Sequence, residues 1–330
     1  MIIIGVITPP ENGSSFYRCH IPFNYLAKDH VHIKVKYLSE LTWGSMSDID
    51  VLFMMRADNS AAYKAITYAR LMGIPSWIDM DDDFFAVPKD NPNHKHYSDP
   101  DTLKWISLCM QEATVISFST EFLKVKYDAG LEKVSTTPPR TLVIKNAANT
   151  RLFKFEDHKN RNNIIAWRGS STHSGDIKTV AKYCEQLGHE WHFIGYKPVE
   201  FGIRLHTTYQ EPMDAIVYMN YLKDIKPKVM IVPLVDNDFN RAKSNIAWIE
   251  ATMAGAVTIA PTLPEFEKPG IVNYSKPEEF LDKLKYVLNM SENEKYALVM
   301  ASRLHIDYCL HLDHENAKRL DLIHSLVMDK

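Results

Sequence analysis

Short runs of β-branched and other apolar residues alternate with amphipathic stretches along the chain, and this alternation limits the folds it can adopt. In the first half the predicted strands are Ile2–Ile7, His32–Tyr37, Asp50–Met55, Ser76–Met80, Thr114–Phe118 and Thr141–Ile144. Amphipathic stretches such as Ser60–Met72 lie between them, and Gly73 can end that helix in a left-handed conformation. Strands separated by helices of about 10–15 residues predict right-handed crossovers and a parallel sheet.

The same pattern starts again in the second half, which predicts a second α/β domain. Strands are predicted at Asn163–Trp167, Glu190–Ile194, Lys228–Leu234 and Val257–Ala260. Helices are predicted at Asp176–Gln186, Lys243–Ala254, Pro277–Leu288, Ser291–Cys309 and about His314–Met328. Two Rossmann-like domains that face each other enclose a cleft, which is a preferred place for ligands.

Composition narrows the function classes. The chain has 330 residues, 45% hydrophobic and 24% charged, which is typical of a globular protein with two domains. Its net charge of −3 offers no polybasic arm for nucleic acid, although a local basic groove is compatible with a neutral total. The four cysteines form no CxxC pair, and no stretch approaches the ~20 apolar residues of a membrane span. These features predict a cytoplasmic protein without a zinc or redox motif.

The segment Val229–Pro261 comprises a strand, a polar loop, a helix, Gly255 and a second strand, and it predicts a phosphate site. The loop follows a parallel strand, at the edge of the sheet where ligands bind. Lys243 and Ser244 are predicted to begin the helix, where free amides, the helix dipole and the lysine charge suit a diphosphate. Glu250 lies two turns further on the same face, where it can hold a ribose diol. The alternative is a surface helix with solvated charges.

A second loop with phosphate-binding character is Arg168-Gly169-Ser170, directly after a predicted strand. Glycine permits close backbone approach, and arginine offers a planar fork for phosphate. With Lys243, the loop supplies two cations for one pyrophosphate, which can stabilise a departing nucleoside diphosphate without a metal ion. Asp176, in the same loop, is predicted to be a helix N-cap.

Four carboxylates crowd the end of the predicted strand Ser76–Met80. They are costly to bring together unless some are protonated, paired or exposed. Asp79, Asp81 or Asp82 is predicted to deprotonate an acceptor hydroxyl, or to hydrogen-bond the transferred sugar. A metal-binding DxD motif at Asp79 and Asp81, or caps on the following turn, are the alternatives.

A polar loop after the first strand is the candidate acceptor or phosphate loop of the first domain. It contains Gly13, Ser14 and Ser15, and Arg18 follows within the next turn. The loop can admit an acceptor or a donor phosphate near the start of a helix. A flexible turn without a ligand explains the same residues equally well.

Three runs resemble GT-B glycosyltransferases related to the GT4 group. NRAKSNIAWIEATMAGAVTIAP, from Asn240 to Pro261, resembles their donor-binding segment. VIKNAAN (Val143–Asn149) is similar to their interdomain linker, and IIAWRGSSTHSGDI (Ile164–Ile177) to the start of their C-terminal domain. The resemblance implies an α/β GT-B fold with an N-terminal acceptor domain over residues 1–148 and a nucleotide-sugar domain over residues 149–310. A C-terminal helix, residues 311–330, is then expected to pack back on the first domain.

The resemblance also implies roles for residues. In that group a glutamate at the position of Glu250 holds the nucleotide ribose, and a basic residue nearby, here Lys243, binds the diphosphate. Asn240 and Ser244 belong to the same donor-binding segment. The group often has another glutamate eight positions earlier, where this chain has Ala242, so other residues must hold the transferred sugar. The implied donor is a nucleoside diphosphate sugar, with a UDP sugar favoured, no obligatory cofactor, and a divalent metal possible but not favoured.

The sequence leaves two candidate acceptors. WIDMDDDFF and NPNHKHY are similar to bacteriophage-encoded glycosyltransferases, some of which modify hydroxymethylated bases in DNA. A DNA acceptor requires a cationic groove, for which the candidates are Arg18, Arg56, Lys89, Lys95 and Lys104. A glycan or small-molecule acceptor is the second candidate. A protein that binds nucleotide sugars without catalysis is the alternative from another class.

Overall fold

The computed structural model describes residues 1–38, 43–199 and 206–328, which form two α/β domains. The strands of the first sheet are β1 (Ile2–Ile7), β2 (Ile33–Tyr37), β3 (Val51–Met55), β4 (Ser76–Met80), β5 (Val115–Phe118) and β6 (Arg140–Val143). Those of the second sheet are β7 (Asn162–Gly169), β8 (Glu190–Gly195), β9 (His206–Gln210), β10 (Pro227–Ile231), β11 (Val257–Pro261) and β12 (Ile271–Tyr274). The described strand pairs are all parallel.

Each sheet is doubly wound around a central strand. The spatial order of the first sheet is β2-β1-β3-β4-β5-β6, and that of the second is β12-β11-β10-β7-β8-β9. The order therefore reverses between β1 and β3 in one domain and between β7 and β10 in the other. Loops that leave the carboxyl ends of strands at such a reversal form the ligand crevice of α/β proteins.

Helices cover both sheets. In the first part of the chain they are α1 (Gly13–Ser15), α2 (Ile21–Asp29), α3 (Trp43–Met46), α4 (Ser60–Leu71), α5 (His94–Tyr97), α6 (Pro100–Glu112) and α7 (Glu121–Val134). In the second part they are α8 (Ser174–Cys184), α9 (Ala215–Ile225), α10 (Asp238–Arg241), α11 (Ile246–Met253), α12 (Phe280–Asn289), α13 (Glu292–Cys309) and α14 (Leu312–Met328). A π-helical turn, Phe16–His20, joins α1 to α2. Within the described ranges, no helix is both long and apolar enough to cross a membrane.

Polar side chains fix where several helices begin. Asn12 and Ser291 form capping boxes at α1 and α13, and Thr120 caps α7 by accepting from the amide of Leu123. Such caps satisfy amides that the first turn leaves without a helical partner. The sequence therefore determines these helix starts locally, before any packing between elements.

The predicted α/β architecture with two parallel sheets is confirmed, and each of the predicted strands is present within three residues of its predicted ends. Two strands, β9 and β12, were not predicted from the sequence. Both lie at the edges of the second sheet, where β9 is polar and β12 has only four residues. Edge strands need less apolar sequence than central strands, because one side of the strand is not covered by a neighbour.

The last helix, α14, packs on the first domain rather than on the second. Leu322 and Ile323 are fully buried in the same apolar cluster as Phe53 of β3. Ala148 and His311 form a parallel β-bridge. The segment that leaves the first domain and the segment that returns to it therefore run side by side.

A buried ion pair joins the π-helical turn to the centre of the first sheet. Arg18 donates two hydrogen bonds to the carboxylate of Asp79, from Nε to Oδ2 over 2.8 Å and from Nη2 to Oδ1 over 2.6 Å. The two side chains are 0% and 3% exposed. Ser117 of β5 donates to Asp79 and accepts from the indole of Trp77, so the carboxylate belongs to a network that spans neighbouring strands.

Asp79→Ala is expected to destabilise the first domain by about 3–5 kcal/mol, because it leaves a buried arginine charge without its partner. Asp48→Ala is the matched control. It breaks the solvent-exposed pair between Lys36 and Asp48, which water screens and which is expected to contribute little to stability. Denaturant unfolding followed by tryptophan fluorescence measures both. Equal losses in the two variants would contradict a structural role for the buried pair.

Candidate active site

A cavity of about 460 Å³ lies between the carboxyl ends of the two sheets. Loops after β1, β3 and β4 form its first wall, and loops after β7, β8, β9 and β10 form its second wall together with α11. Both reversals of strand order open into this cavity, as expected for a ligand site between α/β domains. The geometry therefore points to one site shared by both domains.

The second wall holds a pair of opposite charges, the partly exposed Arg168 and the buried Glu250. Nε of Arg168 lies 2.8 Å from Oε2 of Glu250, and the hydroxyl of Tyr218 donates to the same oxygen over 3.3 Å. Burial disfavours the charged form of Arg168, but the neighbouring Glu250 outweighs it and raises the arginine pKa. Burial and the Glu250 charge both raise the pKa of the Tyr218 phenol. Tyr218 therefore remains a neutral hydrogen-bond donor.

Lys243 and Ser244 lie in the non-helical segment before α11, so the prediction that they begin this helix is wrong. The helix starts at Ile246, after Asn245. Nζ of Lys243 lies 4.3 Å from the ring centre of Phe239 and 2.9 Å from Oδ1 of Asp82. Oγ of Ser244 accepts a 2.7 Å hydrogen bond from Asn146 in the interdomain segment. These contacts with other segments hold both residues outside the helix.

Asp176 organises the loops of the second wall. Its Oδ1 accepts from the amide of Val235 at 2.9 Å and from Nδ2 of Asn240 at 2.8 Å, while Oδ2 lies 2.8 Å from Nδ1 of His173. The predicted N-cap role of Asp176 is wrong, because α8 begins two residues earlier, at Ser174. Burial lowers the pKa of His173, and the nearby Lys243 lowers it further against the opposing effect of Asp176. The imidazole is therefore neutral near pH 7.

Arg56 gives the first wall its shape. Its backbone is left-handed, with φ of 58°, which is a strained conformation for a residue with a side chain. The guanidinium makes bonds of 2.8 and 2.5 Å to the carboxylate of Asp81 and one of 2.9 Å to Oγ of Ser14. Burial alone would raise the pKa of Asp81, but Arg56 lowers it to about 2. Asp81 is therefore a carboxylate already neutralised by its neighbour.

The remaining two acids of the cluster, Asp82 and Asp83, form ion pairs with lysines. Asp82 lies 2.9 Å from Lys243 across the cleft and 3.7 Å from Arg56. Asp83 lies 2.7 Å from Nζ of Lys126, which also reaches Asp238 of the second domain at 2.9 Å. The predicted crowding of carboxylates is thus resolved by pairing each one with a cation.

Ten of the predicted site residues line the cavity: Gly13, Ser14, Asp81, Asp82, Arg168, Gly169, Ser170, Lys243, Ser244 and Glu250. Four others, predicted as acceptor, catalytic or donor residues, do not: Ser15, Arg18, Asp79 and Asn240.

Each of these four residues makes its side-chain contacts outside the cavity. Ser15 belongs to the capping box of α1, and Arg18 and Asp79 neutralise each other inside the first domain. Asn240 donates to Asp176 and to the carbonyl of Val235 beneath the cavity. Their geometry gives them supporting roles, not contact with a ligand.

The interpretation of Asp79 and Asp81 as a metal-binding DxD motif conflicts with the geometry, because each carboxylate receives two hydrogen bonds from an arginine. In the described part of the chain, no group of three or more histidine, cysteine or acidic side chains could hold a metal ion.

Two tyrosines of the site were not predicted from the sequence. Tyr17 lies in the π-helical turn and lines the cavity together with Tyr218 of α9. Burial raises the pKa of Tyr17, and the charge of Glu250 raises it further. A π-helical turn often marks a functional position, but it leaves no periodicity that the sequence reveals.

Ala242, where the GT4-related pattern has a glutamate, is fully buried at the contact between the domains. Its carbonyl accepts a 3.1 Å hydrogen bond from Thr120 of the first domain, and its side chain joins the apolar cluster of that domain. This position therefore serves the contact between the domains and offers the cavity no carboxylate.

Comparison with known proteins gives the fold but no sequence family. No family model and no curated protein matches the chain. Among solved structures, Anabaena Alr3699/HepE in complex with UDP and glucose matches with a TM-score of 0.69 and 10% identity, over 98% of this chain and 100% of that chain. An alpha-glucosyltransferase (AGT) in complex with UDP matches with a TM-score of 0.69 and 9% identity, over 98% and 100%.

A glycosyltransferase from Rickettsia africae matches with a TM-score of 0.66 and 12% identity, over 100% of this chain and 99% of that chain. The similarity spans nearly the whole of each chain, and it shows that this chain has the GT-B fold. Sequence identities of 9% to 12% support a conclusion about the fold alone.

Proposed function

We propose that the chain is a glycosyltransferase that binds a nucleoside diphosphate sugar, with a UDP sugar favoured, and transfers the sugar to an acceptor hydroxyl. The observation that carries this proposal is the convergence of Lys243, Arg168 and Glu250 on one cavity between two doubly wound domains. Similar structures that contain UDP or UDP-glucose support the choice of donor. The cytoplasmic location expected from the sequence stays a prediction.

The donor lies along the second wall in this proposal. Lys243 and Arg168 provide two cations for the diphosphate, and the loop at Gly169 and Ser170 brings backbone close to it. Glu250 accepts hydrogen bonds from the ribose hydroxyls. As the bond between sugar and diphosphate breaks, the two cations stabilise the negative charge on the leaving group.

The acceptor approaches from the first wall. Asp82 is the cluster member that both lines the cavity and faces the second domain. It is placed to accept a proton from an acceptor hydroxyl or to hydrogen-bond the transferred sugar. Asp81 remains paired with Arg56 and holds that wall in position.

Lys243→Ala is expected to weaken UDP-glucose binding by about tenfold or more, because a charge-assisted hydrogen bond to phosphate contributes about 1.5–3 kcal/mol. Lys126→Ala is the matched control, since that lysine lies near the cleft and pairs with Asp83 and Asp238 but does not line the cavity. Calorimetric titration with UDP and GDP sugars measures both. A wild-type protein that binds no nucleotide sugar would remove the basis of the proposal.

UDP-glucose affinity is expected to rise as pH falls from 8 to 6. His173 starts with a lowered pKa, and a diphosphate beside it would raise that pKa, so binding takes up a proton and gains strength at low pH. His173→Gln should flatten this dependence. His189→Gln should leave it intact, because burial also lowers the pKa of His189, which lies outside the cavity. Equal pH profiles for all three proteins would exclude His173 from the diphosphate site.

A separate observation supports each of the two candidate acceptor classes. AGT has been solved with DNA that contains a hydroxymethylated uracil base, which supports a modified pyrimidine as the first candidate. The ion pairs of Arg18 and Arg56 argue against a polyanionic acceptor. Both arginines were expected to contribute to a basic groove, but each is bound by a carboxylate. A neutral glycan or small-molecule acceptor is therefore the second candidate.

A screen of UDP sugars with unmodified DNA, hydroxymethylated DNA and glycans, read by mass spectrometry, separates these acceptors. A DNA acceptor is expected to gain the sugar mass only when hydroxymethylated, and with a steep dependence on salt. A glycan acceptor is expected to react with little dependence on salt. Binding of the donor without transfer or hydrolysis would instead support the non-catalytic alternative.

A further inference from the structure

Among the residues that the structure describes, three cations line the cavity, and each is bound by a carboxylate. Arg56 pairs with Asp81 inside the first domain, and Arg168 pairs with Glu250 inside the second. The third pair, Lys243 with Asp82, joins the two domains. The lysine expected to bind the donor diphosphate is thus paired with an acid of the first wall, the proposed acceptor wall.

The Lys243–Asp82 pair is built differently from the other interaction on the acceptor wall. Asp81 receives two hydrogen bonds from the fork of Arg56, whereas Asp82 receives one bond of 2.9 Å from a flexible ammonium group. The side chains of Lys243 and Asp82 are 17% and 20% exposed, so water and solutes can reach the pair. A single partly exposed ion pair is weak enough for another anion to replace its carboxylate.

We propose that Asp82 competes with the donor diphosphate for Lys243, so that donor binding itself frees Asp82 for the acceptor. This inference rests on the proposed function of Lys243 as a diphosphate ligand. A phosphate oxygen within hydrogen-bond distance of Nζ takes the place that the carboxylate holds. Two anions beside one ammonium repel each other, so the two states exclude one another.

The diphosphate wins this competition because it has more partners than the carboxylate. It carries two negative charges and can contact Arg168 as well as Lys243, while Asp82 loses a single hydrogen bond. The displaced carboxylate keeps Arg56, which lies 3.7 Å from its Oδ2, and therefore stays on the acceptor wall. There its lone pairs no longer face the ammonium of Lys243, so they are open to an acceptor hydroxyl only when the donor is bound.

Titration of UDP and UDP-glucose into the wild type and Asp82→Asn tests this proposal. Removal of the competing carboxylate is expected to tighten binding by about three- to fivefold. Asp238→Asn is the matched control, because it breaks another ion pair between the domains, Lys126 with Asp238 at 2.9 Å, in which Lys243 takes no part. Its affinity for UDP should stay within about twofold of the wild type.

The outcomes separate this inference from the proposed function. If the wild type binds no UDP, the proposed function fails and the inference fails with it. If the wild type binds UDP but Asp82→Asn binds it equally or less well, the inference alone is overturned. Equal tightening in Asp82→Asn and Asp238→Asn would assign the effect to loosened domain contact, which also overturns competition at Lys243.

A double variant distinguishes direct competition from repulsion through space. In a Lys243→Ala background the carboxylate has no ammonium to occupy and only its repulsion of the diphosphate remains, so adding Asp82→Asn should tighten UDP binding by less than it does in the wild type. Tightening of the same size in that background would show that Asp82 repels the diphosphate from a distance, and it would overturn competition for Lys243.

Discussion

Four carboxylates at the end of β4 can share one region only because four cations reach them from four different segments. Arg18 comes from the π-helical turn, Arg56 from the strained position after β3, Lys126 from α7 and Lys243 from the second domain. Unpaired, such charges would repel each other and resist burial. The acid cluster therefore determines where the π-helical turn, the β3 loop and the opposite domain must lie.

The burial of each pair decides what it can do. Arg18 and Asp79 are buried away from water and joined by two hydrogen bonds, which suits a fixed part of the structure. Lys243 and Asp82 are partly exposed and joined by one bond, which suits a contact that forms and breaks. One run of acids thus provides both the rigid support of the first wall and its adaptable contact with the second wall.

The sequence predicts the fold well because the apolar runs of central strands are local signals, as in Ile2–Ile7 and Ser76–Met80. It also predicts that Arg168 and Glu250 belong to one site, and both line the second wall of the cavity. It fails where a partner is distant in the chain. Nothing near Asp79 indicates that Arg18, 61 residues away, neutralises it. Lys243 likewise leaves the predicted helix because of contacts, such as that with Asp82, which the sequence does not specify.

The alanine at position 242 follows from the same electrostatics. Its side chain is fully buried against the first domain, its carbonyl is bound by Thr120, and the next residue is the lysine that meets Asp82. A glutamate there would bury a fifth carboxylate beside a wall that has already used its cations. An acidic first wall and a glutamate at this position are therefore poorly compatible. The cavity therefore has polar groups of the first wall, among them Asp82 and Ser14, but no carboxylate from position 242.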